Sequence, residues 1–237
     1  MNQNMASDFL AYYDHSYIIE RDYLSANLLN SLHLFLLQNG VKKILEVGVG
    51  SGKCMKSLQK LGFLVKGIDI SPAAAKIAGV QVASATDIPY KNKSFDCIIG
   101  ISIIEHLNQN DGIRFIKEAK RVLKNNGVIF LVTPNFSSPL RYFQGKNWFG
   151  FSDKSHLFFY TPKTLKKLLI DLNFNTIKCT FKTTVSALDW QLPSFIKKSP
   201  VIIRRLINYI LISSNIALFR DSFWISAKKT HENRNFD

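Results

Sequence analysis

Between residues 41 and 133 the chain repeats one pattern: a short run that is apolar almost throughout, then a stretch whose apolar residues recur at helical spacing. The apolar runs are Lys43–Gly48, Phe63–Ile70, Val80–Ala83, Ser94–Ile101 and Val128–Thr133. Between them lie helical stretches at Lys53–Leu61, at the segment opened by Ser71-Pro72, and at Asp111–Leu123, where Ile113, Ile116, Ala119, Val122 and Leu123 share a face. A strand with one wet face alternates apolar and polar residues. A strand apolar throughout is covered on both faces, and helices between such strands do the covering. The pattern therefore predicts an α/β fold, a doubly wound and mostly parallel sheet. Tyr17–Gln38 reads as a preceding helix stopped by Gly40, and a later helix starts near Thr161-Pro162. Asn125-Asn126-Gly127 reads as a turn, and Asn173–Lys182 and Phe223–Lys228 as two further strands.

In such sheets ligands lie beyond the carboxyl ends of the strands, where strand order reverses. The first strand-to-helix turn is the expected place, and there the chain reads Ile44-Leu-Glu-Val-Gly-Val-Gly-Ser-Gly-Lys-Cys-Met55. It is no phosphate-binding P-loop, because Val47 stands where the first glycine belongs and Cys54 replaces the magnesium-binding hydroxyl. It is a poor dinucleotide loop, because Lys53 takes the third glycine's place. The spacing is G-x-G-x-G, with Glu46 two residues ahead.

Glu46-Val-Gly48-Val-Gly50-Ser-Gly52 resembles the E/D-x-G-x-G-x-G loop of class I S-adenosylmethionine-dependent methyltransferases. The resemblance runs from about Val41 to Asn135 and takes in four elements in order. It implies a Rossmann-like sheet of seven strands whose last strand is antiparallel. S-adenosyl-L-methionine is then the donor and S-adenosyl-L-homocysteine the product. Glycines let the backbone approach the donor's amino acid and ribose closely. On this resemblance Glu46, Gly48, Gly50 and Gly52 form the loop. Asp69, with Ile70 beside it, ends the second strand and would bind the ribose hydroxyls. Asp87 would take the adenine amino group, with the amide of Ile88 facing the ring, and Ile101 would add a further contact. Asp87 alternatively caps a turn before Pro89. Asp96, inside the fourth strand, reads as a structural hydrogen-bonding residue.

A methyl group passes in line from the sulfonium to the acceptor, so placement of the acceptor matters most. A hydroxyl acceptor must also lose a proton, which calls for a base such as histidine. His106, in Glu105-His106 after the fourth strand, and His156, in "SDKSHLFFYTP", are the catalytic candidates. Both stretches resemble the small-molecule branch of the family, which acts on quinones, lipids and cell-surface glycans. Glu105 joins a metal site in some quinone-type relatives, but no second carboxylate completes one, so no metal is expected. The Pro pair of amino-directed base methyltransferases is missing after the fourth strand, which argues against a nucleic-acid acceptor. Trp148, Phe149 and Phe151 lie in a turn-rich stretch that reads as a loop over the cofactor, lining a pocket or packing the loop down.

Hydrophobic residues make up 46% of the 237, enough for one domain with a sizeable core. The expected layout is one domain over 1–237: an N-terminal helical segment at 1–40, the cofactor-binding core at 41–135, a lid or acceptor loop at 136–160, an inserted helical segment at 186–220 and a disordered tail at 230–237. Three scattered cysteines and no basic-then-apolar leader suit a reducing, cytoplasmic setting. The net charge of +14 is uneven, with 16 of the 31 Lys and Arg but only 6 of the 17 Asp and Glu in residues 138–237. Leu206–Phe219 carries no charge and is too short for a comfortable membrane span. With its arginine flanks it suits peripheral membrane contact through 200–220, a cover for the site or a dimer face. The expected reaction is methyl transfer to a hydroxyl oxygen of a small-molecule, lipid-linked or glycan acceptor, by a monomer or homodimer. The alternatives are an RNA methyltransferase using the basic C-terminal region and a non-catalytic cofactor-binding partner subunit.

Overall fold

A computed structural model describes residues 24, 26–181, 198–204, 206 and 222–230. The elements are α1 (Ala26–Gln38), β1 (Lys43–Val47), α2 (Lys53–Lys60), β2 (Leu64–Asp69), α3 (Pro72–Ala78), β3 (Gln81–Val82), β4 (Phe95–Ile101), α4 (Gln109–Val122), β5 (Leu123–Pro134), α5 (Leu140–Gln144), α6 (Phe149–Ser152), α7 (Pro162–Asp171), β6 (Phe174–Thr180) and β7 (Ser222–Lys229). Single 3-10 turns cover Ile104–His106 and Gly145–Asn147. The first part of the helix expected from Tyr17, most of the 186–220 segment and the tail after Thr230 lie outside the described residues.

The strands form a 7-stranded sheet in the order β3-β2-β1-β4-β5-β7-β6. Neighbours from β3 through β5 are parallel, and β7 runs antiparallel to both β5 and β6. This is the fold class the sequence predicts. Successive residues of a strand point to opposite faces, and the core divides accordingly. Leu45, Ile98, Ile129, Leu131 and Ile225 pack with Phe115, Ile116 and Ala119 of α4 and with Leu165 and Leu169 of α7. Ile44, Cys97, Ile99, Val128 and Phe130 pack on the other face with Leu28, Leu32 and Leu36 of α1 and Met55 and Leu58 of α2.

Helix starts follow local chemistry. The Ser71 side chain accepts from Ala74 N at 3.3 Å, with Pro72 in the first helical turn. Thr161 and Thr164 form a reciprocal capping box at the start of α7. Two boundaries differ from expectation. The Asn125-Asn126-Gly127 turn is absorbed into β5: Leu123 already pairs with Phe95, and the register shifts before Val128 meets Cys97. Asn126 takes a φ of 62° there, so the turn survives as an irregularity within the strand. The third strand shrinks to Gln81–Val82, both exposed at the sheet edge. Among the described residues no helix is long and apolar enough to cross a membrane. Apart from Leu206, the uncharged stretch to Phe219 is outside them.

Candidate active site

Strand order reverses between β1 and β4, so the crevice opens beyond their carboxyl ends. The glycine loop sits there. Gly48 and Gly50 have φ of 74° and 53°, the left-handed region that side chains resist. A Cβ on Gly48 would come within 3.0 Å of the Ile103 side chain, so this glycine lets the segment after β4 fold down onto the loop. A Cβ on Gly52 would press on Ala78 at 2.8 Å. Gly50 is different, because a Cβ there would meet nothing within 4 Å. Its open side is where a ligand can lie against bare backbone.

Asp69 fixes this loop. Its Oδ2 accepts from Gly50 N at 2.9 Å, and its Oδ1 accepts from Ser71 N at 2.9 Å. Burial raises its pKa, and the amides of Ser71, Gly50 and Ile70 offset part of that rise. Each oxygen of a carboxylate carries a second lone pair, so the group can still accept from a ligand. Ile70 beside it is 44% exposed, an apolar surface next to a buried acid. Glu46 is buried beneath the loop at 3% exposure.

At the adenine end the expectation for the Ile88 amide needs correction, while Asp87 stays open to a ligand. Asp87 is exposed on a turn closed by its own amide onto Ser84 O at 3.2 Å, and Ser84 Oγ accepts from Thr86 N, so Ser84 rather than Asp87 caps the turn. The Ile88 amide does not face a ligand. It donates to Glu118 Oε2 at 2.8 Å, and its side chain is buried in the core. Arg121 completes that tie with bonds to Glu118, Ile88 O, Tyr90 O and Asn92 Oδ1. Asp96 is structural, as expected. It accepts from the amides of Lys42 and Lys43 and from Lys124 Nζ, at the far end of β1 and β4.

After Ile101 the chain turns sharply. Ser102 takes a φ of 51°, an unusual conformation for a residue with a side chain. Glu105 and His106 follow in a 3-10 turn, both buried. The amides of Leu157 and Phe158 donate to Glu105 O at 2.8 and 3.1 Å, pinning the 153–160 segment against this turn. That contact brings the two candidate histidines together, with ring centroids 4.7 Å apart and the planes at 63°. His156 Nδ1 lies 2.7 Å from Gly150 O. His106 Nδ1 lies 3.3 Å from Ser155 O and 2.9 Å from Ser155 Oγ. A carbonyl only accepts, so both rings donate from Nδ1, and in the neutral form each presents a lone pair on Nε2. Glu105 Oε2 accepts from Thr133 Oγ1 at 2.9 Å, and burial pushes its carboxyl up to about 7.

Glu105, His106 and His156 each offer one metal-ligating atom, all within 4.8 Å of one another. The expectation of no metal rested on a missing second carboxylate; a second imidazole supplies the third donor instead. Asp153 and Ser155 also belong to the cluster and were not singled out in the sequence. Their signal was the D-x-S spacing, which lets an aspartate accept from the backbone two residues on. Trp148 is fully buried, not a lid: it packs on Phe136, Phe151 and Phe159, with Gly150 leaving room for its ring. Phe151 is 40% exposed, and the side chain of Phe149 lies outside the description. The stretch is built from α5, α6 and a 3-10 turn rather than open loop. Lys93, Lys117, Lys120, Arg121 and Lys229 line a cleft elsewhere. Lys93 precedes β4, Arg121 leads into β5 and Lys229 ends the antiparallel β7, so this basic cleft lies at the opposite end of the sheet.

Comparison with known proteins agrees with this arrangement. Residues 19–178 match the family model described as a methyltransferase domain. A ubiquinone biosynthesis O-methyltransferase of Pelagibacter ubique is 31% identical over 125 residues, 48% of this chain and 51% of that protein. A demethylmenaquinone methyltransferase of Tropheryma whipplei is 33% identical over 110 residues, 43% of this chain and 44% of its own. The chain thus spans about half the length of these curated relatives. In fold it is similar to a SAM-dependent methyltransferase from Archaeoglobus fulgidus, at a TM-score of 0.65 and 20% identity, covering 91% of this chain and 100% of that one. With its glycine loop, its sheet order and a family match over most of its length, the chain belongs to the methyltransferase-domain family, among the class I S-adenosylmethionine-dependent methyltransferases.

Proposed function

We propose that the protein methylates a hydroxyl oxygen of a small-molecule, lipid-linked or glycan acceptor, with S-adenosyl-L-methionine as donor. The donor supplies a methyl carbon already activated by its sulfonium. The residues that would hold it are the loop from Glu46 to Gly52, Asp69 and Ile70, with Asp87 at the far end of the crevice and Ile101 at the end of β4. The fit rests on the bare side of Gly50 next to a buried carboxylate. The observation that carries an oxygen acceptor is the buried imidazole of His106 beyond the carboxyl end of β4, with the partly buried His156 ring beside it. An amine arriving neutral needs no proton acceptor, whereas a hydroxyl does. His106 takes that proton on Nε2, and His156 packs edge-on beside it. The named relatives point to small acceptors.

The test is transfer of a labelled methyl group to fractionated cell extract, with lipid, polysaccharide, RNA and small-molecule products separated. A label in the small-molecule, lipid or glycan fraction, attached through oxygen, is expected. His106→Gln should lower turnover at least 10-fold while S-adenosylhomocysteine still raises the melting temperature. Turnover that survives dialysis against EDTA belongs to the imidazoles rather than to a metal ion. A label found in RNA, or on nitrogen, overturns the reading.

A further inference from the structure

We propose that Asp153 is the positioning residue of His106, acting through Ser155. Asp153 is 4% exposed and sits at the end of α6, on the segment pinned to the Glu105 carbonyl. Its Oδ1 accepts from Ser155 N at 2.9 Å and from Ser155 Oγ at 2.5 Å. The serine hydroxyl has one hydrogen, and that hydrogen goes to the aspartate. Its oxygen is then left to accept from His106 Nδ1 at 2.9 Å. The chain of bonds runs one way, from imidazole N–H to serine oxygen and from serine O–H to carboxylate. It holds His106 in the tautomer whose Nε2 bears the lone pair, the role a buried carboxylate plays for the histidine of a hydrolytic triad, here relayed by one hydroxyl. The second oxygen, Oδ2, stands 3.8 Å from His156 Nε2. That distance is beyond a hydrogen bond, so the orientation of this ring follows from Gly150 O on Nδ1.

One short segment, Gly150 to His156, thus supplies the Nδ1 partners of both rings. Glu105 shares the cluster and is held by Thr133. Asp153 is the acid whose hydrogen bonds reach His106 through Ser155.

The inference rests on the proposed role of the histidines, and its test separates the two. Long-range nitrogen–proton correlation spectra of the full-length protein report the tautomer of each ring with no acceptor present. Asp153→Asn and Ser155→Ala should each mix the tautomer of His106, while His156, whose Nδ1 donates to Gly150 O, keeps its own. In the transfer assay Asp153→Asn should lower kcat roughly 10- to 100-fold with KM within about 2-fold, the range expected for a misplaced base. Asp153→Glu should restore part of the loss, and melting with S-adenosylhomocysteine should match the wild type throughout. Wild-type tautomers in the Asp153→Asn and Ser155→Ala proteins overturn the proposal. A fall in kcat without any tautomer change does so equally, since it assigns Asp153 a merely structural role. Should Asp153→Asn fail to fold, Ser155→Ala decides the matter for His106. A wild-type protein that transfers no methyl group defeats the functional reading and leaves the spectroscopic result standing.

Discussion

Gly50→Ala separates backbone strain from ligand room. In the structure Gly50 has φ +53° and an added Cβ would touch nothing within 4 Å, so the folded protein without ligand feels only the left-handed backbone. That costs an alanine about 1–2 kcal/mol, or roughly 2–4 °C of melting temperature per kcal/mol in a chain of this size. Gly79 is the matched control. It has φ +71°, again with nothing within 4 Å, but it caps α3 away from the crevice. Gly48 and Gly52 make poor probes, because their methyl groups would strike Ile103 and Ala78. Both alanine variants should therefore lose similar stability in urea melts. Only Gly50→Ala should lose affinity for S-adenosylhomocysteine by calorimetry, by 10-fold or more, which is about 1.4 kcal/mol. Equal affinity in the two variants would refute a donor lying on the bare side of Gly50.

Three further outcomes are expected. Glu105 carries a folded-state pKa raised from 4.5 to about 7 by burial, so the folded protein holds a proton that the unfolded chain releases. Its contribution to stability is fully present below pH 4.5 and is lost as pH rises to about 7, by at most about 3 kcal/mol at 1.36 kcal/mol per unit. Glu105→Gln should flatten that slope in urea melts of EDTA-dialysed protein, and an unchanged slope refutes the assignment. Arg121→Ala should destabilise by about 2 kcal/mol, because it strips charged hydrogen bonds from the carbonyls of Ile88 and Tyr90; a change below about 0.5 kcal/mol in the same melts would count against it. Asp69→Ala should weaken the thermal shift by S-adenosylhomocysteine more than Asp69→Asn, which keeps one oxygen for an amide; equal shifts would show that Asp69 does not brace the loop.

What could be read in the chain was what local chemistry dictates. Runs such as Ile44–Val47 and Cys97–Ile101 announce buried strands by composition alone, and Ser71-Pro72 and Thr161-Pro162 announce helix starts. The left-handed loop conformations at Gly48, Gly50 and Gly52 leave glycine as their signature. What the sequence hid at the site depends mostly on partners far away along the chain. The Ile88 amide was claimed by Glu118, 30 residues on, and no local feature marks that bond. His106 meets Ser155 across 49 residues, and the meeting depends on the Glu105 carbonyl receiving two amides from the 157–158 segment. For Trp148 the sequence leaves two roles open, lining a pocket or packing the loop down, and its full burial fits the second. Its burial needed the space that Gly150 leaves beside the ring, which only the fold reveals.

The insertion of β7 between β5 and β6 bears on how the chain is made. The outer edge of β5 is hydrogen-bonded by residues from Ser222 onward, although β5 itself ends at Pro134. During synthesis the ribosome must therefore add the whole intervening stretch before that edge is covered, and β6 emerges with no neighbour to join. Nascent chains halted before Ser222 carry a naked row of amides and carbonyls along an apolar strand, a template for self-association.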